Sequence, residues 1–281
     1  MSAAESPHGF KQDLDDTDLT KIGRDLHFHP TKNPSPRVLS PAQIEQFNRD
    51  GYIAGVEVFD AAGVARNRAF FERARVAEAA AGKDAKVVLL LHLRYGAAWD
   101  VMNHPKIVQA VKDLLGENVV GWGAAFFHKP AHDEATVAWH QDASYWPLTP
   151  SKVVTVWLAI DDVDAENAAM QFIAGSHHFG HLTYRSSRPD EKNVLNQTID
   201  NPAQHGRLVD DCLKAGQISL HSDLLLHGSG PNRSDRRRCG LTLRYAAAEV
   251  TTYHGWNNKG VWVSGRDERG HWANLPRPAI D

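Results

Sequence analysis

The segment AWHQDASYWPL sets His140, Gln141 and Asp142 side by side. On an extended strand, residues two apart leave from one face, so His140 and Asp142 point together while Gln141 points away. An imidazole and a carboxylate on one face supply two ligands of a two-histidine, one-carboxylate set. Such a set leaves coordination positions open and is the mark of non-haem Fe(II) oxygenases. Its third ligand is usually a distant histidine. Alone, His-x-Asp is a common tripeptide, and a surface strand pair is the plain alternative.

The second half of the chain adds to this. The run GQISLHSDLLLHGSGPNRSDRRRCGLTLRY carries His227 at the end of an apolar stretch, then Gly228-Ser229-Gly230, then the arginines 236–238. Arg238 follows His227 by eleven residues, after a turn through Pro231 and Asn232, and opens the next strand. Antiparallel neighbours joined by that turn would bring Arg238 back alongside His227, where a planar guanidinium can grip a carboxylate with both arms. Arg244 falls on the same strand face and is a candidate clamp for an anionic substrate group, a structural ion pair being the alternative. Tyr145 and Trp146 are candidates for the mouth of the site, with core packing as the rival account. The other histidines read as structural or solvated: His221 in a turn, His177, His178 and His181 in a Gly-Ser turn, His27 and His29 in a loop. Cys212 and Cys239 read as buried thiols, with Cys239 facing away from Arg238.

Taken together, His140-Gln141-Asp142, Trp157, His227-Gly228-Ser229-Gly230 and Arg238 resemble the phytanoyl-CoA dioxygenase family, over roughly residues 40–250. The resemblance implies a double-stranded β-helix and a dioxygenase that uses Fe(II), 2-oxoglutarate as cosubstrate, and O2. It implies His140, Asp142 and His227 as iron ligands and Arg238 as partner of the 2-oxoglutarate C5 carboxylate, with Ser229 on the same end. Trp157 matches a tryptophan of the cosubstrate pocket, and Lys129-Pro130 matches the family's Lys-Pro, which adds Lys129 to the cofactor-binding candidates. Two departures stand out: Ala174 where the family's turn has Pro, and Ala168 where it has Gly after Asn167. The halogenating relatives lack the triad carboxylate; Asp142 is present, so the resemblance implies hydroxylation of an unactivated C–H bond, with release of succinate and CO2. Desaturation, epoxidation or cyclisation would use the same ligands. A metal-binding or sensor protein without turnover is the alternative of another class, since fold does not fix function.

These residues need elements to hold them. Ser40, Pro41 and Gln43 form a capping box that starts a helix, a second helix spans about 61–81, and a third follows Asn103 and stops at Gly116. Beyond Gly116, short β-branched and aromatic runs separated by Gly, Pro, Asn and Asp signal an all-β barrel or sandwich. The fold expected is mainly β with flanking helices around a jelly-roll, cupin-like double-stranded β-helix core. The divisions are an N-terminal arm or loop (1–38), a helical support (39–116), the catalytic core (117–250, with 181–211 as an insertion) and a tail packed on it (251–281).

Composition sets the outer limits. With 31 Lys and Arg against 34 Asp and Glu in 281 residues, the net charge of −3 offers no footprint for nucleic acid. No apolar run nears the roughly 20 residues of a membrane span, and the first residues carry no signal-peptide pattern. Two cysteines are too few for a disulfide framework, and the chain ends Pro-Ala-Ile-Asp rather than Ser-Lys-Leu. The expectation is a cytoplasmic protein acting on a small molecule, bound neither to nucleic acid nor to a membrane; composition is silent on its oligomeric state.

Overall fold

The computed structural model describes residue 11, residues 14–82 and residues 86–281; the remainder of the expected arm, residues 1–10, 12 and 13, lies outside them. The described arm is not a free loop. It holds a single helical turn, α1 (Asp16–Thr20), then runs along the body. Arg24 donates to the carbonyls of Ala143 and Trp146, and Thr31 pairs with Asn48. The expected capping box is present at α2 (Pro41–Asp50), where Ser40 and Gln43 bond each other's backbone N–H groups. Strand β1 (Tyr52–Glu57) leads into α3 (Ala61–Ala80), capped by the Asp60 carboxylate. After β2 (Val87–Val88) come α4 (Gly96–Met102), which the sequence reading did not foresee, and α5 (Pro105–Leu115), which stops at Gly116 as expected.

The remainder is β. In order come β3 (Val119–Lys129), β4 (Val137–His140), β5 (Leu148–Thr149), β6 (Val153–Ala159), β7 (Met170–Ala174), β8 (Arg185–Ser186), β9 (Gln197–Thr198) and β10 (Arg207–Asp211). Then follow β11 (Gln217–Ser222), β12 (His227–Ser229), β13 (Arg238–Ala247), β14 (Thr251–Thr252) and β15 (Val261–Ser264). Two antiparallel sheets face each other: a large one ordered β1-β11-β6-β13-β3-β15, with β2 also on β3, and a small one ordered β10-β7-β12-β4. This is a jelly roll with its helices on the outer face of the large sheet.

Strand alternation explains the division of labour. Strand β6 is buried on both faces. Val154, Val156 and Leu158 join Phe70, Phe71, Ile107 and Val111 in the helix-covered core, whereas Trp157 and Ala159 pack toward the small sheet with Phe172. Strand β13 does the same: Cys239, Leu241, Leu243 and Tyr245 belong to the helix-side core. Arg238, Thr242 and Arg244 line the inside of the barrel.

Two expectations need correction, and a third is extended. Of the stretch read as an insertion, Arg207–Asp211 pairs residue for residue with β7, so β10 is an edge strand of the core; only the part before it, with the small β8–β9 hairpin, is inserted. Cys212 follows that edge strand and is exposed, while Cys239 is buried as expected. The tail does more than cover the core. Strand β15 extends the large sheet at β3, and the tail's Trp256 and Trp272 pack with Trp122 and Trp146 in a second apolar cluster.

Candidate active site

Strands β4 and β12 are neighbours in the small sheet, with His227 opposite His140 and the two rings 4.1 Å apart. In each ring Nδ1 lies against a main-chain carbonyl two residues back, Ala138 at 2.8 Å and Leu225 at 2.9 Å. A carbonyl only accepts, so both Nδ1 atoms carry the proton and both Nε2 lone pairs are free to bind a metal. Burial pushes the pKa of both imidazoles down, that of His227 well below the ordinary range, so both are neutral at neutral pH.

Asp142 stands just past the end of β4, at the start of a short 3-10 turn, with Gln141 still extended between it and His140. The alternation expected from the sequence therefore holds through the ligand pair. Gln141 points the other way and is fully buried, donating to the carbonyls of Gly180 and Leu224 and accepting from the amide of Leu182. Thr155 on β6 donates to Asp142 Oδ2 at 2.8 Å. Nε2 of His221 lies 3.6 Å from the same oxygen, beyond good hydrogen-bond length. Burial alone would raise the Asp142 carboxyl, but His221, His227 and Arg244 around it hold it well below the usual range. Ligand atoms of His140, Asp142 and His227 all lie within 4.8 Å of one another, and all three residues are buried. Two neutral, oriented imidazoles and one ionised carboxylate form a donor set that fits a divalent ion with positions left open.

The cavity beside this set is walled by Trp157, Ser229, Arg238 and Thr242 as well as by the triad. Arg238 is buried and donates to Ser229 Oγ at 3.0 Å and to the Ala168 carbonyl at 3.1 Å, with its guanidinium 5.7 Å from the Trp157 ring. It has no carboxylate ion-pair partner among the described residues. Burial brings its pKa down to about 10, so it stays charged at neutral pH. A buried, unpaired guanidinium is costly, and an anionic ligand would offset that cost. Arg238 thus lies near the triad, but not by the expected route. Strands β12 and β13 belong to opposite sheets, and Arg238 reaches Ser229 across the barrel. The connection that makes this crossing is held by Asn232, which donates to the carbonyls of Pro130 and Arg236. Ala168, at the family's glycine position, takes φ +66° and presents the carbonyl that Arg238 uses.

Lys129 has a different place from the one the resemblance gave it. Its ammonium donates to the carbonyls of Ala135, Ser229 and Gly230, which ties the end of β12 to β3, and it is absent from the cavity wall. Burial and the charge of Arg238 push its pKa down to about 7.

On the other side of His140 and Asp142 opens a chamber of about 510 Å³. Tyr145, Trp146 and Arg244 all line it, as does Lys259 from the tail, which sequence reading passed over. The Arg244 guanidinium stands 5.3 Å from the Trp146 ring, and its buried Nε has no hydrogen-bond partner. The rival reading of Arg244 was a structural ion pair, and no carboxylate lies within ion-pair distance of it among the described residues. A larger cleft of about 600 Å³ lies beneath the arm, beside α5, and carries no metal-ligand set among the described residues.

The remaining candidates separate cleanly. His221 is in β11 rather than a turn, buried beside Asp142 and His227. His177 and His178 bond main-chain carbonyls of α2, His181 bonds Ser144, and His27 and His29 share Asp25. Thr155 was missed, although it lies two residues before Trp157 on one strand face, and period-two reading could have found it.

Comparison with known proteins agrees with this geometry. A family model, phytanoyl-CoA dioxygenase, matches residues 47–240. A probable alpha-ketoglutarate-dependent hypophosphite dioxygenase of Stutzerimonas stutzeri is 32% identical over 189 residues, covering 62% of this chain and 63% of that protein. An L-proline trans-4-hydroxylase of Streptomyces griseoviridis is 26% identical over 169 residues, covering 53% of this chain and 63% of its own length. The chain therefore spans somewhat under two thirds of the length of these curated relatives. The structure of a non-heme monooxygenase, ThoJ in its apo form, superposes with a TM-score of 0.70 at 29% identity, over 84% of this chain and 88% of that one. With the matched region running through all three ligands and Arg238, the chain belongs to the phytanoyl-CoA dioxygenase family, a family of non-haem iron, 2-oxoglutarate-dependent enzymes.

Proposed function

We propose that the protein is an Fe(II)- and 2-oxoglutarate-dependent dioxygenase that hydroxylates an unactivated C–H bond of a small, anionic organic substrate. One observation carries this reading: the three ligand atoms converge within 4.8 Å on a cavity whose far wall presents Arg238 without a carboxylate partner. Bound Fe(II), with 2-oxoglutarate and O2, supplies the oxidation; one oxygen atom ends in the substrate as C–OH, the other in succinate, and CO2 leaves. The chain's own residues do the rest. His140, His227 and Asp142 hold the ion, with Thr155 keeping the carboxylate in place. Arg238 and Ser229 take the distal carboxylate of 2-oxoglutarate, and the Trp157 ring closes that end against water. Arg244, on the substrate side, draws in an anionic group and fixes which C–H bond faces the metal.

The test is succinate formation with Fe(II), ascorbate and O2 against a panel of small acids, amino acids and phosphonates. Asp142→Ala and Arg238→Ala should abolish substrate-stimulated turnover, and a wild-type protein that binds no iron overturns the assignment. Arg244→Ala should raise the substrate KM by roughly one to two orders of magnitude. An unchanged KM would remove Arg244 from substrate binding.

A further inference from the structure

Beside the triad stands a further imidazole that metal binding does not use. His221 is fully buried, lines the same cavity as the three ligands, and has no hydrogen-bond partner on either ring nitrogen. Buried polar groups are nearly always paired, so a bare imidazole inside the barrel calls for a cause. As core filling, Phe or Leu would serve better, because neither carries a polar atom that burial strips of water.

Strand register explains where the ring stands. On β11, Ile218 and Leu220 enter the helix-side core, so His221 faces the inside of the barrel, as does Ser219, which bonds Asp211 of the small sheet. His221 is the cross-strand partner of Thr155 on β6. Such partners project side by side from one face, and these two reach the same atom. Thr155 donates to Asp142 Oδ2 at 2.8 Å, and His221 Nε2 stands 3.6 Å from it. The ring's aromatic neighbours are Phe172 and His227, 5.4 and 4.7 Å away between centres. The first has no acceptor, and the second is a metal ligand.

A carboxylate oxygen carries two lone pairs. Thr155 takes one on Oδ2, which leaves the other for a second donor or for the metal. An octahedral ion holding two imidazoles, one carboxylate oxygen and a chelating 2-oxoglutarate keeps a single position open, and a second carboxylate oxygen would close it. We infer that His221 is a positioning residue that guards this open position. Its Nε2–H takes the remaining lone pair of Asp142 Oδ2, so that the ion is held through Oδ1 alone. The inference rests on the metal-site reading above, and in this role His221 acts only through Asp142.

The test uses the full chain under nitrogen, loaded with Fe(II) and 2-oxoglutarate. Nitric oxide probes the open position, read by electron paramagnetic resonance. His221→Leu releases the second Asp142 oxygen to the ion. Fe(II) affinity should then stay close to wild type or rise, while nitric oxide affinity falls about tenfold or more. His221→Gln, which restores an N–H donor, should recover nitric oxide binding. A merely structural histidine gives another pattern: Tm, Fe(II) affinity and nitric oxide affinity fall together, and Gln recovers none of them. That pattern overturns the inference, as does a folded His221→Leu with wild-type nitric oxide affinity. Should His221→Leu fail to fold, His221→Phe also lacks the donor and gives the same comparison. Infrared difference spectra on metal binding add a readout on the wild type, where two-oxygen binding by Asp142 overturns the inference whatever the variants do. A wild type that binds no Fe(II) sinks the metal-site reading too, whereas every other adverse outcome leaves that reading intact.

Discussion

At the scale of single residues, what distinguishes the triad from a chance cluster is how each ligand is held. His140 and His227 spend their ring N–H groups on carbonyls two residues back, so the tautomer that binds metal is set before any ion arrives. Asp142 has no such local device, because it has left the strand for a 3-10 turn. Its orientation depends on the Thr155 hydroxyl from the opposite sheet, at 2.8 Å. Thr155→Val keeps the shape and removes the donor, and should lower metal affinity by about 10–100-fold. Anaerobic titration with Fe(II) or Co(II) measures this; wild-type affinity in a folded Thr155→Val would show that the turn alone positions the carboxylate. The triad was legible because its spacing is local on each strand. Lys259 was not, since nothing within its own Trp-Asn-Asn-Lys turn announces that Trp122, from the distant strand β3, also stands against it.

At the scale of elements, β13 serves two masters, packing Leu241 and Leu243 under the helices while its other face lines the barrel. That inner face needs Gly240. A Cβ there would come within 1.9 Å of the Trp157 indole, the same ring that flanks Arg238. Gly240→Ala should therefore cost about 1–3 kcal/mol by overpacking and displace the indole from the cosubstrate end. We expect a lower Tm together with a raised 2-oxoglutarate KM, and recovery of Tm but not of KM when Trp157→Phe is added. A Tm that does not move would refute this packing account. The arm gives a second case. The Asp113 carboxylate on α5 accepts the amides of Arg37, Val38 and Leu39, so one side chain anchors the chain that leads into α2. Asp113→Asn replaces an acceptor oxygen by a donor facing those amides. It should cost about 1–3 kcal/mol, a fall of roughly 2–4 °C in Tm per kcal/mol in a chain of this size class. Thermal melts check the fall, and protease cleavage within residues 21–38 should accelerate.

At the scale of the whole molecule, buried ionisable groups make stability depend on pH. Asp211, buried at the end of β10 beside Ser219, has its pKa pushed up to about 7 by burial. Its folded pKa lies above the unfolded value, so between about pH 4 and 7 the native state binds more protons and the group's contribution falls as pH rises. His128 and His177, lowered to about 4 by burial, act in the opposite sense over the lower part of that window, which flattens the total. The Asp211 share is isolated by difference. Metal-free Asp211→Asn should match wild type near pH 4 and become progressively more stable than wild type by pH 8. A constant offset across that range would contradict the assignment. Among the described residues, no helix is long and apolar enough to cross a membrane.

The sequence by itself determined the chemistry-bearing segments, the helices α2, α3 and α5 with their caps and stops, the alternation that turns His140 with Asp142 and Arg238 with Arg244, and the family. All of these are local in the chain, where period two, capping geometry and contiguous motifs operate. Only the tertiary structure decided the rest. It put β12 and β13 in opposite sheets, so that Arg238 meets Ser229 across a barrel and not along a hairpin. It made residues 207–211 a core edge strand, turned Lys129 onto carbonyls, and brought Thr155 to Asp142 and Lys259 to Trp122. Those outcomes depend on which sheet a strand joins, and that choice is made by burial summed over the whole core, which no short segment carries.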